Sequence, residues 1–123
     1  MNAYIDPDHI LICAQNFHSF IASTFNPVRI LAEYPVEQVR KNGQVIKGWI
    51  DVLLETKEGW IIIDHKGSPR PRNEWEEEAL KYSGQLEAYK NAIEASTGRN
   101  VLSSWIHLPI AGGMVKVAFQ SHP

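Results

Sequence analysis

The chain has 123 residues, of which 44% are hydrophobic and 21% charged, a composition typical of one globular domain with a single core. The formal net charge of −2 excludes any argument for nucleic-acid binding from bulk charge, so such binding would need a local patch or a metal ion. The lone cysteine, Cys13, excludes an internal disulfide, and no apolar run reaches the length of a membrane span. We therefore predict one domain over residues 1–123, cytoplasmic and without membrane contact.

Helical spacing of apolar residues is the first pattern along the chain. Asp6-Pro7-Asp8 predicts the start of a helix, with Asp6 as its N-cap and Pro7 at its first position. Apolar residues continue at that spacing to Ile21, and Asn26-Pro27 predicts the end of the helix.

Three β-strands are predicted next, at Val28–Val39, Val45–Glu55 and Trp60–Lys66. Asn42-Gly43 is a strong signal for a hairpin turn between the first two, so the three strands form an antiparallel meander. Pro35 cannot donate a backbone hydrogen bond and therefore predicts that its strand lies at a sheet edge or carries a bulge.

A long helix is predicted from Glu74 to Ser96, with acidic residues in its first turns and Thr97-Gly98 at its end. The segments "VLSSWIHLPI" and "GMVKVAFQ" predict two closing strands. The order of helices and strands indicates an α/β fold in which a mixed sheet is flanked by helices.

Charged residues interrupt two of the strands that otherwise look buried, and these are Asp51, Asp64 and Lys66. Side chains alternate along a strand, so Asp64 and Lys66 share a face, and Asp51 shares one with Trp49 and Leu53. Hairpin pairing would then allow Asp51 and Asp64 to converge at one end of the sheet.

Two converging carboxylates repel each other and favour a bound cation, and their oxygens suit Mg²⁺ or Mn²⁺. A neighbouring lysine could position water or stabilise a phosphorane-like state. Together with the metal ion, such a lysine would allow hydrolysis of a phosphodiester. A simple salt bridge between Asp64 and Lys66 is the competing interpretation. Gln85 lies in a stripe with aromatic residues on the long helix, where it could orient Lys66, a metal-bound water or a phosphate, or simply cap a strand edge.

Three segments in order resemble the PD-(D/E)xK nuclease superfamily, and more narrowly the RecB/AddA-type nuclease domain at the C-terminus of helicase–nucleases. They are "GWID" (48–51), "IIIDHK" (61–66) and "YSGQLEAYKNAI" (82–93). The resemblance covers residues 31–110. It implies a restriction-endonuclease-like mixed sheet, and a metal-dependent deoxyribonuclease of DNA repair or recombination that uses Mg²⁺ or Mn²⁺. Whether such an enzyme would cut as an exonuclease or an endonuclease stays open.

Carried onto this sequence, the resemblance makes Asp51 and Asp64 metal ligands, with the backbone carbonyl of His65 as a further ligand. Glu33 matches an acidic position on the preceding strand and is an additional candidate ligand. Lys66 becomes the catalytic lysine.

The resemblance also implies residues that face DNA. Gln85 and Tyr89 form the helix motif that supports the site and approaches the substrate, and Tyr82 lies on the same stripe. Arg70 and Arg72 follow the D-x-K strand and could contact phosphates, although a solvated loop is the equal alternative.

The remaining aromatic and histidine residues carry weaker expectations. Core packing is predicted for Trp49, Trp60 and Trp105. For Trp75, core packing and stacking on nucleobases at the surface both stay open. His107 has no ligand spacing to any other histidine and is assigned no role.

This sequence departs from the family pattern in ways that leave alternatives open. The family's D-Y-K-T strand reads "DHKGS" here, and the upstream "GTxxH" helix, whose histidine joins the metal site, is not recognisable. His18 is the nearest candidate for that histidine, but its neighbours do not match. The chain could be a fragment of a larger helicase–nuclease, partnered by a helicase domain or subunit, or a degenerate copy that only binds DNA or protein. A structural domain whose charges only pair with each other is a third alternative.

Overall fold

A six-stranded sheet organises the chain in the computed structural model, which describes residues 3–12, 16–39, 41–67, 71–110 and 112–119. The strands are β1 (Ala3–Ile12), β2 (Arg29–Val39), β3 (Val45–Glu55), β4 (Trp60–His65), β5 (Val101–Leu108) and β6 (Gly113–Phe119). The helices are α1 (Phe17–Phe25), α2 (Trp75–Leu80) and α3 (Ser83–Thr97), with a turn of 3₁₀-helix at Arg72–Glu74.

The strand order is β1-β6-β5-β4-β3-β2. The β4–β5 pair is parallel and the other four pairs are antiparallel, which confirms the predicted mixed sheet. β4 and β5 can be parallel because α2 and α3 carry the chain back across one face of the sheet between them. Pro35 lies on β2, at the sheet edge where a missing N–H is tolerated, as predicted.

The antiparallel meander of β2, β3 and β4 is also confirmed. Between β2 and β3, the Gln44 amide donates to Asn42 Oδ1 at 2.9 Å, and Gly43 adopts a φ of 84°. That left-handed conformation is accessible to glycine without strain, so the turn closes and sets the register that pairs Val39 with Val45.

The predicted helix at Asp6 is wrong, because residues 3–12 form β1 and pair with β6. The register shifts between Ile5 and Ile10, and this irregularity accommodates Pro7 within a strand. The helix α1 begins after Asn16, whose Oδ1 accepts the amides of residues 18 and 19, and it ends at Asn26 as predicted. Cys13 lies outside the described residues.

The long predicted helix is interrupted at Lys81-Tyr82, so that α2 and α3 are separate. The Tyr82 amide bonds the Ala79 carbonyl at 3.1 Å, a tight turn that redirects the chain. The predicted end of the long helix is confirmed, since Gly98 caps α3 with a φ of 71°.

Two apolar clusters cover the two faces of the sheet. One packs α2 and α3 against residues that include Ile62 and Leu53, and the other packs α1 against residues that include Ile61 and Ile63. The alternation predicted for β4 therefore holds, and it directs Asp64 and Lys66 towards α3 and the His65 ring towards α1.

The alternation on β3 is broken near Asp51, which corrects the prediction that Trp49 and Leu53 share a face. Ile50 and Leu53 both pack in the cluster on the α3 side, although they are three residues apart. On β2, Glu33 adopts a φ of 51° at the same level, between the pairs Ala32–Val52 and Tyr34–Ile50. The pairing of β3 with β4 ends at Val52–Ile63, so the two strands separate at Asp51 and Asp64.

Candidate active site at the separation of two strands

The carboxyl groups of Asp51 and Asp64 converge where β3 and β4 separate. Asp51 Oδ2 accepts the His65 amide at 2.8 Å, and the two carboxyl groups hydrogen-bond each other. Asp64 is 3% exposed, whereas Asp51 is half-buried. The break in strand pairing creates this cleft, because a continued ladder would fill the same space with backbone hydrogen bonds.

The two carboxyl groups differ in acidity. Burial, followed by the contact with Asp51, raises the pKa of Asp64 to about 7, although Lys66 acts against the shift. Partial burial also acts to raise the pKa of Asp51, but hydrogen bonds from Asp64 and the His65 amide, with the charges of His65 and Lys66, bring it below its usual value. The pair therefore retains one proton close to neutral pH.

The Lys66 ammonium lies between three groups that hold it in the cleft. Its Nζ is 3.1 Å from Asp64 Oδ2, 3.2 Å from Gln85 Oε1 and 4.4 Å from the centre of the Tyr82 ring. The interruption between α2 and α3 lies at Tyr82, where the helix motif meets the end of β4. Lys66 is thus held by an ion pair, a hydrogen bond and a cation–π contact.

Gln85 and Tyr89 extend this network along α3. Gln85 Nε2 donates to Tyr89 Oη at 3.1 Å, and the backbone N–H of Trp49 also bonds that hydroxyl. The Tyr89 ring lies directly on Gly48, where a Cβ would be 2.8 Å from Oη. The glycine of "GWID" therefore allows the helix motif to approach β3.

A second group of aromatic rings lies on the α1 side. The Nδ1 atoms of His65 and His107 are 2.8 Å apart, and the Phe17 ring stacks on His107 with centroids 4.4 Å apart. Burial, with the repulsion between the two histidines, lowers the pKa of His107 to about 4. Burial and His18 lower the pKa of His65, although Asp51 opposes the shift. Both rings are therefore neutral at pH 7.

Sequence spacing assigned no role to His107, because its neighbour His65 is 42 residues away. The signal that could have found it is the parallel pairing of β4 with β5, which places the two residues directly opposite each other. His18 is exposed on α1 beside Phe17, and its charge reaches His65. The sequence favoured a helix-surface or core position for His18 over the role of the family's upstream histidine, and its exposed position on α1 agrees with the first of these.

Two other described residues that were predicted for the site are not brought into the carboxylate pair. Glu33 is exposed on β2, and its charge is not among those that shift the pKa of Asp51 or Asp64. Arg72 is exposed in the 3₁₀ turn, and Arg70 lies outside the described residues. The described cleft therefore consists of the D-x-K strand, Asp51 and the helix motif.

Among the tryptophans, the prediction for Trp49 is wrong, and the core position left open for Trp75 is confirmed. Trp75 is 3% exposed and packs its ring on Gly113, whereas Trp49 is 62% exposed. Trp49 lines a shallow cavity of about 280 Å³ with Pro35, Val36 and neighbouring residues of the β2–β3 hairpin. Trp60 and Trp105 are buried, as predicted. Trp49, two residues before Asp51, is therefore the tryptophan that can reach a ligand.

The donor set fits a small divalent cation, although within the described ranges no group of three or more His, Cys, Asp or Glu side chains is arranged around one point. The fit rests on Asp64 Oδ2, which is buried and accepts no hydrogen bond of good geometry, despite its ion pair with Lys66. An unsatisfied buried carboxylate oxygen beside a second carboxylate is a favourable position for a cation. The backbone carbonyl of His65 could complete such a set.

The helix-flanked mixed sheet and the Asp-Asp-Lys cleft define a nuclease-type α/β domain. The sequence model of the PD-(D/E)XK nuclease superfamily matches residues 14–122, so the chain belongs to that superfamily. Its restriction-endonuclease-like fold class is thereby confirmed, as is the predicted resemblance to RecB/AddA-type domains, which the relatives described next support.

Curated relatives include proteins whose names describe subunits of an ATP-dependent helicase/nuclease. The chain is 36% identical over 78 residues to the protein of Pelotomaculum thermopropionicum. This aligned segment covers 63% of this chain and 6% of the relative. It is 29% identical over 92 residues to the Clostridium novyi protein, covering 75% of this chain and 7% of the relative. A Thermoanaerobacter protein is 31% identical over 71 residues, or 58% of this chain and 6% of the relative. The chain therefore matches only a small part of each relative's length.

Within the part of the chain that the structure describes, no helix has both the length and the hydropathy needed to cross a membrane.

Proposed function

We propose that this chain is a divalent-metal-dependent deoxyribonuclease that hydrolyses phosphodiester bonds. The observation that carries the proposal is the buried carboxylate of Asp64, which lies beside the Asp51 carboxylate and has its Oδ2 3.1 Å from the Lys66 ammonium. A purely structural ion pair between Asp64 and Lys66 would not need a second carboxylate beside it, because the two carboxylates repel each other. Membership of a nuclease superfamily supports the same conclusion.

Asp51, Asp64 and the backbone carbonyl of His65 would hold the ion. All three supply hard oxygen ligands, the set that Mg²⁺ and Mn²⁺ prefer. When bound, such an ion supplies an activated water and neutralises charge on the scissile phosphate. Deprotonation of Asp64 must accompany binding, because its raised pKa leaves it partly protonated near neutral pH.

Lys66 acts on the phosphate and the attacking water. Its ammonium donates hydrogen bonds to the oxygens on which negative charge develops as the water oxygen bonds to phosphorus and an ester P–O bond breaks. Gln85 Oε1 accepts a hydrogen bond from the ammonium at 3.2 Å, and Tyr89 Oη accepts one from Gln85 Nε2. This chain of bonds fixes Lys66 before substrate arrives, which lowers the cost of reaching the reactive geometry.

Contacts to DNA would come from the surface around this cleft. The exposed ring of Trp49 offers a face on which a nucleobase can stack, and Arg72 offers charge to backbone phosphates. A phosphate contact by Arg70 is proposed from the sequence alone, because Arg70 lies outside the described residues. Tyr82 faces Lys66, so it borders the position of the scissile phosphate.

We further propose that the activity serves DNA repair or recombination together with a helicase domain or subunit. The support is the name of the relatives, which combines a helicase with a nuclease. The chain covers 6–7% of those proteins, so an unwinding activity would have to come from elsewhere.

The test is cleavage of linear single- and double-stranded DNA with Mg²⁺, with Mn²⁺ and with EDTA. We compare the wild type with Lys66→Ala and with Lys57→Ala, a matched control whose exposed lysine lies in the turn between β3 and β4. Lys66→Ala should reduce the metal-dependent rate about 10²–10⁴-fold, whereas Lys57→Ala should not. Mn²⁺ binding should persist in Lys66→Ala, because both carboxylates remain.

Two results would contradict the enzyme proposal. A folded protein that binds Mn²⁺ and DNA but cuts neither substrate would identify a nuclease-fold binding module. A folded protein that neither binds metal nor cuts would leave only a structural role for the charged residues.

A further inference from the structure

His107 is buried on β5, on the opposite side of the sheet from Lys66 and Gln85. It is 5% exposed, and its ring is held by Phe17, which stacks on it at an interplanar angle of 24°. Its Nδ1 lies 2.8 Å from Nδ1 of His65, a residue that is exposed overall but whose ring also meets the Phe17 ring edge-on, with centroids 4.9 Å apart. The buried ring is therefore that of His107, and together with Phe17 it restrains the more exposed ring of His65.

The same two residues are paired through the backbone. His65 and His107 are partners in the parallel ladder, and the Lys66 amide donates to the His107 carbonyl at 2.9 Å. On the other side of β4, the His65 amide donates to Asp51 Oδ2 at 2.8 Å. The peptide groups that flank residue 65 are thus fixed from both neighbouring strands, at the level where β4 ends and the regular ladder to β3 is lost.

We propose that His107 is a positioning residue, whose imidazole holds the Asp64-His65-Lys66 segment in register through its hydrogen bond to the His65 ring. The proposal rests on the nuclease function proposed above, since the segment supplies the Asp64 carboxylate, the His65 carbonyl and the catalytic lysine. His107 itself touches neither substrate nor metal.

The bond between the rings requires complementary tautomers. One Nδ1 carries the hydrogen and donates, and the other Nδ1 is unprotonated and accepts, so both rings are neutral. Without His107, the His65 ring would keep its edge contact with Phe17 but lose its hydrogen bond, so its Nδ1 could turn towards water. Loss of the His107 imidazole should then leave the D-x-K segment poorly placed, so metal binding and catalysis should suffer more than stability.

Two substitutions at position 107 separate the hydrogen bond from the packing. His107→Phe retains a ring that can stack on Phe17 but removes the nitrogen. His107→Asn loses the ring but keeps an amide atom on Cγ, where Nδ1 of histidine is attached, and so can restore the bond. Trp105→Phe is the matched control, because Trp105 is buried on the same strand and face and its ring packs edge-on against Phe25.

The measurements are Mn²⁺ affinity by calorimetry, kcat and KM for DNA cleavage, and the ¹⁵N resonances of the imidazoles. His107→Phe should weaken Mn²⁺ binding about 10–100-fold and lower kcat with little change in KM. His107→Asn should recover part of both losses, and Trp105→Phe should keep wild-type values. In the wild type, the ¹⁵N spectra should show one protonated and one unprotonated Nδ1.

A double-mutant cycle tests whether His107 acts through His65. His65→Ala keeps the backbone carbonyl but removes the ring, so adding His107→Phe to it should weaken Mn²⁺ binding no further. Additive losses in the double variant would overturn the inference.

The inference and the proposed function fail in different ways. A wild type that cuts DNA and binds Mn²⁺, with a folded His107→Phe variant of equal affinity and kcat, overturns the positioning role and leaves the nuclease intact. A folded wild type that neither binds Mn²⁺ nor cuts overturns both. Thermal unfolding of every variant establishes that it is folded.

Discussion

Replacing Gly48 with alanine tests whether the approach of α3 to β3 sets the catalytic lysine. A Cβ at this position would lie 2.8 Å from Tyr89 Oη, 2.9 Å from Cε1 and 3.3 Å from Cζ. Carbon atoms pack at about 3.5 Å or more, so the Tyr89 ring would have to move by roughly 0.6 Å. Tyr89 is buried against the sheet, and the displacement cannot be absorbed by turning the ring into solvent.

The shift has a calculable effect on the network. The bond from Gln85 Nε2 to Tyr89 Oη is 3.1 Å, and a displacement of about 0.6 Å away from Gln85 would lengthen it beyond hydrogen-bonding distance. Overpacking costs about 1–3 kcal/mol, and the lost bond about 1 kcal/mol more. Alanine recovers about 0.5–1 kcal/mol relative to glycine in a strand. The net loss is about 1–3 kcal/mol, which lowers the Tm by roughly 3–15 °C, since 1 kcal/mol corresponds to about 3–5 °C in a domain of this size.

Urea unfolding and the DNA cleavage rate measure the two consequences. Gly48→Ala should be less stable by the stated amount, and kcat should fall because Gln85 no longer holds Lys66. Mn²⁺ affinity should change less, since the hydrogen bond that is lost joins Tyr89 to Gln85 and not to a carboxylate. Gly84→Ala is the matched control, because a Cβ there meets nothing within 4 Å and the residue lies in α3. It should stabilise the protein by about 0.5–1 kcal/mol.

A Gly48→Ala protein that retains wild-type stability and kcat would refute this reasoning. That result would mean that Tyr89 has space to move and does not transmit its position to Lys66. Equal losses in Gly48→Ala and Gly84→Ala would also contradict it, because only one of the two positions is crowded.

The acidity of Asp64 and the environments of two tryptophans give three more predictions. Mn²⁺ affinity should rise about tenfold per pH unit up to about pH 7 and then level off, because the proton on Asp64 competes with the metal; calorimetry from about pH 5.5 to 8.5 checks this. Trp49→Ala should weaken single-stranded DNA binding by about 1–3 kcal/mol, measured by fluorescence anisotropy, without lowering the Tm. Trp75→Ala should instead cost about 3–5 kcal/mol of stability in urea unfolding, because its ring fills the core over Gly113.

Each of these has an outcome that would contradict it. A pH-independent affinity would show that Asp64 is ionised throughout the range, or that it is not a ligand. Unchanged DNA binding in Trp49→Ala would remove the stacking surface from the proposed mode of binding. Full stability in Trp75→Ala would mean that the ring is not part of the core.

Local sequence determined the meander and the order of the motifs. Asn42-Gly43 specifies a tight turn on its own, and alternating apolar residues specify strands on either side of it. Asp64 and Lys66 share a face because two residues along any regular strand do so, whatever lies around them. These features depend on residues close in the chain, so they were readable before the structure.

Tertiary structure decided the features that depend on distant partners. Residues 3–12 carry a helix-like pattern but form β1, because pairing with β6 offers backbone hydrogen bonds and burial that a propensity of tenths of a kcal/mol cannot outweigh. His65 and His107 meet only because β4 and β5 are parallel neighbours. Trp49 is exposed, the reverse of what the sequence predicted, and Trp75, for which the sequence left both environments open, is buried. The burial of each ring depends on which distant elements pack against it.

The convergence of Asp51 with Asp64 shows both contributions at one site. The sequence determined that each strand carries one carboxylate, and the D-x-K spacing placed Lys66 on the face of Asp64. Only the structure decided that β3 and β4 separate at that level, with the alternation of β3 broken beside Asp51. The physical reason is that two carboxylates inside a continuous ladder would be desolvated without partners, whereas a cleft between separated strands leaves room for a proton or a cation.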